Sequence, residues 1–441
     1  MNKRNIFFLG VIFLWCVGAC KGVCTDREYV SLAKSLQKNG QLDQALYYYK
    51  KALVVNPDNF HANLGLAFEL YGQSKWEESL HYFYKIVELV PNNASMLSNI
   101  GRINFILGNI KEAMRYFCKS LKCDKSQMEL YKQLGVIFLM LGKLDKGYEL
   151  YDIFYQKDDQ ERGLWKGENL AGKTIFIFDN VGMGDVFCFI QYAKNMKEQG
   201  ATVVLGARDG LIPIMSSCPY IDKIVPRFSD FKDFDCYVYM HMLPRMGYKA
   251  GFGIPCHVPY LFADPVLVEK WEQVLSQDKN LKIGICWETS VLKNKKTDEI
   301  ISRDRSIALH YFYELSKLPG VSLYSLQRVN GVDQLEYMPK DFNIHEFDQE
   351  FDKTHGSFSD TAAVMKHLDL VITVDTSIAH LAGALGVPVW LLLHHKPNWR
   401  WFLEREDSPW YPSMRVFRRS SVDSWETVMK NVLECISKIK K

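Results

Sequence analysis

Neither sign of charge dominates this chain. Lys and Arg number 54 against 51 Asp and Glu, a net charge of +3, so the electrostatic footprint of a nucleic-acid binder is absent. The eleven cysteines are odd in number, scattered and nowhere spaced C-x-x-C. That excludes a zinc ribbon and a thioredoxin-type redox pair, and reduced thiols are expected. No H-E-x-x-H or H-x-x-x-H helix occurs, and no G-x-S-x-G turn. A zincin and an α/β-hydrolase are therefore excluded. What remains is ordinary globular composition, 48% hydrophobic with 28 Gly and 15 Pro, which sets aside collagen-like, mainly disordered and polytopic membrane chains.

The N-terminus carries Lys3 and Arg4 before an apolar run, Ile6–Ala19. The run is short of the ~20 residues a spanning helix needs and has the pattern of a secretory signal. Val17-Gly18-Ala19-Cys20 also resembles a lipoprotein cleavage box that would lipidate Cys20. An uncleaved anchor, or an extension ahead of the true start, is the alternative. Residues 1–24 are set aside as signal-like or anchor segment, and residues 6–19 offer a membrane association. The expected location is the cytoplasm or the cytoplasmic membrane face, with export the competing outcome.

Residues 26–156 repeat with a period of 34. Pro57 and Pro91 are one step apart; Ala45, Ser79, Ala113 and Gly147 form a small series, and Tyr49, Phe83, Phe117 and Tyr151 an aromatic one. Ala33, Ala67, Gly101 and Gly135 add a second small series, preceded by Leu32, Leu66, Ile100 and Leu134. The small residues let two helices approach, and the aromatic fills the space beside them. Gly40, Gly108 and Gly142 stand at the turns, where a left-handed backbone is easily adopted. This pattern resembles the tetratricopeptide repeat, with three full units and a partial fourth. Such a stack leaves a concave groove for a protein partner, a peptide or an acceptor substrate. Tyr47, Tyr48, Tyr82 and Tyr84 either line it or serve packing.

After a charged, Gly-containing linker at 157–172, the period changes. Short apolar runs at Lys173–Phe178, Ala201–Leu205, Lys223–Val225 and Cys236–Met240, with a helix from Val186 to about Gln199, predict one βαβ-type sheet over 173–275. Leu281–Trp287, Val321–Leu326, Asp369–Val374 and Pro388–Leu393, with helices at Tyr311–Lys317 and Ser359–His367, predict a second over 281–412. Residues 413–441 read as a C-terminal helical segment. Two tandem doubly wound sheets enclose a cleft, and ligands sit beyond the carboxyl ends of the strands.

Four segments fall there. In Asp179–Asp185, Gly182 and Gly184 permit a tight turn and close approach of a ligand; Asp185 is either a helix N-cap or a general base. The turn lacks G-x-G-x-x-G spacing, which argues against NAD. In Val374–Pro388, Asp375, Thr376 and Ser377 open a helix whose free N–H groups suit a diphosphate. His380 lies one turn in, as a phosphate contact or a core histidine. Lys293–Lys296 and Arg305 could neutralise a diphosphate or form a solvated loop. Trp399-Arg400-Trp401 with Trp410-Tyr411 could stack on a base or sugar, or staple the sheets together. Asp233-Phe234-Asp235 has D-x-D spacing but precedes its strand, at the amino edge. Adjacent His394 and His395 rarely share a metal, and no required metal is expected.

Residues 173–430 resemble a glycosyltransferase family 9-like, heptosyltransferase-type module, of the kind found behind tetratricopeptide repeats in bacteria. The resemblance rests on Gly182–Asp185, Trp287, Arg305-Ser-Ile, Ser325-Leu-Gln327, Asp375–Pro388, Trp399-Arg-Trp and Arg405–Pro412. It implies a GT-B fold of two Rossmann-like α/β domains behind the α-solenoid, and sugar transfer from a nucleotide-sugar to a glycan or protein acceptor. It implies no metal and no cofactor, the nucleotide-sugar being substrate. Asp185 and His380 become the catalytic candidates, with Arg305, Gln327, Asp375, Thr376, Ser377 and Gly383 on the donor and Gly182 and Gly184 in the acceptor-side loop. The alternative is a non-catalytic scaffold that keeps the fold.

Overall fold

The structure, a computed structural model, describes residues 24–156, 161–289, 292–293, 300–302, 305–395, 397–420 and 423–439. Residues 1–20 and Asn294–Lys296, which bear on the targeting and basic-loop expectations, lie outside the described residues. The chain divides into two compact units, with the division between Leu134 and Gly135.

Eight helices in four pairs make up the repeats among the described residues: α1 (Asp26–Lys38), α2 (Leu42–Val55), α3 (Phe60–Gly72), α4 (Trp76–Leu89), α5 (Ala94–Ile106), α6 (Ile110–Cys123), α7 (Met128–Met140) and α8 (Leu144–Tyr155). The fourth unit is thus a whole helix pair, where the sequence predicted a partial one. The small–aromatic complement is geometric. A Cβ on Gly101 would stand 2.5 Å from the Phe117 ring, and one on Gly135 would stand 2.7 Å from Tyr151. Asn59 and Asn93 cap α3 and α5, taking the N–H of Ala62 at 2.9 Å and of Met96 at 3.1 Å.

The turn glycines Gly40, Gly108 and Gly142 have φ of 75°, 82° and 74°. One step of 34 from Gly40 stands Ser74, an exposed residue with φ 58°. An L-residue there costs about 1–2 kcal/mol, against which glycine loses roughly 0.5–1 kcal/mol of unfolded-chain entropy. Ser74→Gly is therefore expected to stabilise the repeats by about 0.5–1 kcal/mol. The check is the urea midpoint of the repeat transition, and a lowered midpoint would show the turn to be held by other means.

The second unit carries two parallel sheets. The first has β1 (Thr174–Phe178), β2 (Thr202–Ala207), β3 (Lys223–Pro226) and β4 (Cys236–Tyr239) in the order β3-β2-β1-β4. The second has β5 (Leu281–Cys286), β6 (Val321–Ser325), β7 (Leu370–Val374), β8 (Val389–Leu393) and β9 (Met414–Arg418) in the order β9-β8-β7-β5-β6. Helix α9 (Met183–Phe189) follows β1, and α10 (Tyr192–Glu198) follows it. Helix α11 (Ser377–Ala384) follows β7, and α12 (Trp425–Ile439) ends the chain.

Three expectations need correction. The predicted helix 186–199 is two helices. Buried Gln191 donates from Nε2 to the Cys188 carbonyl at 2.8 Å, and the chain tightens through Ala193 N–H to Ile190 O at 2.9 Å. The 157–172 stretch is more than a linker: Leu164 bridges Tyr237 in parallel, and Leu164, Trp165 and Leu170 are buried in the first lobe. Residues 413–441 are more than a helix. Met414–Arg418 is the edge strand β9, and α12 packs Trp425, Val428, Met429, Val432 and Ile436 into the second lobe's core.

Candidate active site

The loops at the carboxyl ends of β1, β5, β6 and β7 converge on one cleft of about 510 Å³ between the lobes, as the parallel topology requires. From the first lobe come Gly182, Gly184 and Asp185. From the second come Arg305, Gln327, Asp375, Thr376, Ser377, His380 and Arg400.

Asp179 is where the glycine turn is anchored. It is buried, and Arg208 grips its two oxygens at 2.8 and 2.7 Å. The turn then leads into α9, whose N-cap is Gly182. Asp185, in the first turn, is not the cap. Its carboxylate sits 2.8 Å from the Arg400 guanidinium, which is 9% exposed against 29% for the Asp185 side chain. Arg400 also lies over the rings of Phe189 and Trp399, at 5.4 and 5.9 Å. A buried cation held by one carboxylate across two lobes is an expensive arrangement unless both charges are used. Gly184 serves contact between lobes: a Cβ there would meet His380 Cδ2 at 2.9 Å and Ser377 Cα at 3.4 Å.

Helix α11 opens with Thr376, whose hydroxyl accepts from the Ile378 N–H at 3.2 Å. Asp375, only 4% exposed, has Arg305 Nη1 at 3.6 Å from Oδ2 and 3.4 Å from its carbonyl. His380 is buried. Its Nδ1 is 2.8 Å from the Tyr411 hydroxyl, its Nε2 is 3.9 Å from Asp375, and the Trp401 ring stacks on it at 5.0 Å. Burial pulls the imidazole well below its ordinary pKa, and the Arg400 and Arg305 cations push the same way. The ring is therefore neutral at pH 7. Burial also keeps the Tyr411 phenol protonated. In the tautomer in which the phenol donates to Nδ1, the ring proton sits on Nε2, toward Asp375 and the cleft.

Two residues expected at a ligand are spent on the protein. Gln327 accepts on Oε1 from the N–H groups of Trp287 and Glu288, both at 3.0 Å. It donates from Nε2 to the carbonyls of Glu288 and Asn330, at 3.0 and 2.6 Å. It ties two loops together at the cleft floor. Gly383 turns away from the opening and lies under Tyr411, whose Cδ1 would be 2.5 Å from an added Cβ. The aromatic segment is likewise packing: Trp401, Trp410 and Tyr411 are at most 1% exposed. Asp235 of the D-x-D receives the Thr174 N–H at 2.7 Å, at the amino edge of the first sheet. Among the described residues no group of three or more His, Cys, Asp or Glu converges, and no helix is long and apolar enough to cross a membrane. Arg400 was legible only as the middle of Trp399-Arg-Trp, where the aromatics drew attention.

Residues 27–59 and 94–127 match the tetratricopeptide repeat, and residues 355–435 match glycosyltransferase family 9 (heptosyltransferase). Among curated proteins, FlbA of Caulobacter vibrioides is 24% identical over 287 residues, 61% of this chain and 47% of FlbA. The chain thus spans about half the length of that relative. Among solved structures, a glycosyl transferase family 9 protein of Veillonella parvula aligns with a TM-score of 0.43 at 12% identity, covering 63% of this chain and 91% of its own. MamA aligns with a TM-score of 0.29 at 21% identity, covering 30% of this chain and 73% of its own.

Proposed function

Because the chain carries tetratricopeptide repeats at its N-terminal end and a glycosyltransferase family 9 domain toward its C-terminal end, we propose that it moves a sugar from a nucleotide-sugar to a hydroxyl of a glycan or protein acceptor, without a metal. One observation carries this reading. Asp185 of one lobe and the α11 N-terminus with Arg305 of the other line the same cleft.

In this reading the donor diphosphate sits at the start of α11, where backbone N–H groups and the helix dipole favour an anion. Arg305 adds a permanent cation, and neutral His380 offers Nε2–H. These groups meet the negative charge that grows on the diphosphate as the glycosidic bond breaks. Asp185 takes the proton of the acceptor hydroxyl, and Arg400, 2.8 Å away, holds that carboxylate in place. Helix terminus and arginines would do the charge neutralisation that a divalent cation does elsewhere. In this reading the domain works on the cytoplasmic side, where its nucleotide-sugar would be met, and mass spectrometry of the mature N-terminus would reveal a cut before Cys20.

Calorimetry of the full chain with nucleoside diphosphates tests the donor half. Arg305→Ala and Thr376→Ala are each expected to weaken binding about tenfold, near 1.4 kcal/mol for one charge-assisted contact or one cap. A wild-type chain that binds no nucleoside diphosphate would remove this reading and leave the scaffold alternative.

A further inference from the structure

Phe402 has a left-handed backbone, φ 54° and ψ −178°, which only glycine adopts freely. It is buried, and it directly follows two side chains that reach the cleft. Arg400 pairs with Asp185, and Trp401 stacks on His380. A bulky residue stays in such a conformation only where its surroundings over-determine it. The groups that hold Phe402 therefore bear on how Arg400 and Trp401 are aimed.

Those groups come from three directions. The turn Trp399–Trp401 is closed locally, since Asn398 accepts the Arg400 N–H on its side chain at 3.3 Å and the Trp401 N–H on its carbonyl at 3.0 Å. From the second sheet, Arg418 at the end of β9 donates to the carbonyls of Trp401 and Arg405. The third direction is the turn between α7 and α8, within the second unit. There the Met140 carbonyl accepts the Leu403 N–H at 3.0 Å. Gly142 faces the Phe402 ring, and a Cβ on it would stand 3.6 Å from two ring carbons. Trp401 and Leu403 are thus tied to different elements, and the left-handed step at Phe402 joins them. An ordinary backbone at Phe402 would turn Leu403 away from Met140. With that bond kept, it would pull Trp401 and Arg400 off their partners instead.

We propose that Phe402 is a positioning residue, pinned by the α7–α8 turn, and that this turn of the fourth repeat is a working part of the glycosyltransferase family 9 domain. Phe402 meets no reacting group; it acts through Arg400 and Trp401. What that aim serves rests on the transfer reading above, while the pinning stands on the contacts alone.

The test compares Phe402→Ala with Phe402→Gly in the full chain. Both remove the ring. In an ordinary segment glycine is the weaker of the two, because its unfolded chain has more freedom to lose. At a pinned left-handed position the order reverses. The readout is the Cε1–H resonance of His380 in ¹³C-histidine-labelled protein, assigned by its disappearance in His380→Gln and displaced upfield by the Trp401 ring. Phe402→Ala should lose that displacement, and Phe402→Gly should keep most of it. Calorimetry with ADP, GDP and UDP runs beside it. Whichever binds the wild type should bind Phe402→Ala about fivefold more weakly, the worth of one hydrogen bond from His380, and Phe402→Gly within about twofold. Hydrogen exchange of the wild type decides even if neither variant folds, because the Leu403 amide should be protected like the amides of β7. Alanine and glycine variants with the same resonance, alanine nearer the wild type, or a Leu403 amide exchanging like an open loop would overturn the proposal. A wild type that binds none of the three nucleotides, with resonances and exchange as expected, would keep the pinning and sink the transfer reading.

Discussion

Asp185→Asn should slow sugar transfer on the order of 10²- to 10⁴-fold, the usual worth of a positioned general base, while nucleoside diphosphate affinity stays near that of the wild type. The substitution is clean. Asparagine keeps an oxygen for the Arg400 guanidinium now at 2.8 Å, so the loop is retained while the proton acceptor is lost. The donor groups are on the other lobe, at Arg305, Thr376 and the start of α11, and do not depend on that charge. The readout is kcat for transfer beside a calorimetric titration of the same preparation. Equal turnover in wild type and variant, or none in either, would favour a scaffold that keeps the fold without catalysis.

Arg400→Leu should cost both stability and turnover. It leaves the Asp185 carboxylate without its cation, and it removes a guanidinium packed over Phe189 and Trp399. Breaking a fully buried pair costs roughly 3–5 kcal/mol; with Asp185 partly open to solvent, about 2 kcal/mol is the better expectation. Arg400→Lys should recover little, because an ammonium cannot span the two rings and the carboxylate in one plane. The double variant Asp185→Asn with Arg400→Leu should be more stable than the sum of the two single losses, by about 1–3 kcal/mol of coupling. Tryptophan fluorescence during urea unfolding reads this, since Arg400 lies over Trp399 and Trp410 packs against Trp399. Additive effects would make Arg400 a bystander to Asp185.

The sequence made some of this legible and hid the rest for physical reasons. The repeats announce themselves because one geometric demand, small against aromatic, recurs every 34 residues, and Ser74 escaped notice only because serine rarely takes a left-handed backbone. The strands of both sheets are short apolar runs and stand out. β9 does not, since its buried Met414, Val416 and Phe417 are interrupted and followed by arginine. Leu164 and Trp165 were concealed in a stretch whose charges read as solvated. The helix mouth at Asp375–Ser377 is readable because capping residues directly after a buried strand have one obvious use. Gln327 and Gly383 are harder to read, for the opposite reason. A side chain's spelling does not say whether its hydrogen bonds are already spent on neighbouring backbone, or whether a missing methyl makes room for a ligand or for a tyrosine ring. Arg400 depends on a partner more than two hundred residues away, which no local pattern can supply.

The contact at Gly184 has a mechanical consequence. With no room for a methyl group between it and His380, the two helix starts are already as near as backbone permits. Any closing of the halves around a substrate must therefore bring in the rims away from this point, because the loop beside Asp185 can come no nearer to the start of α11.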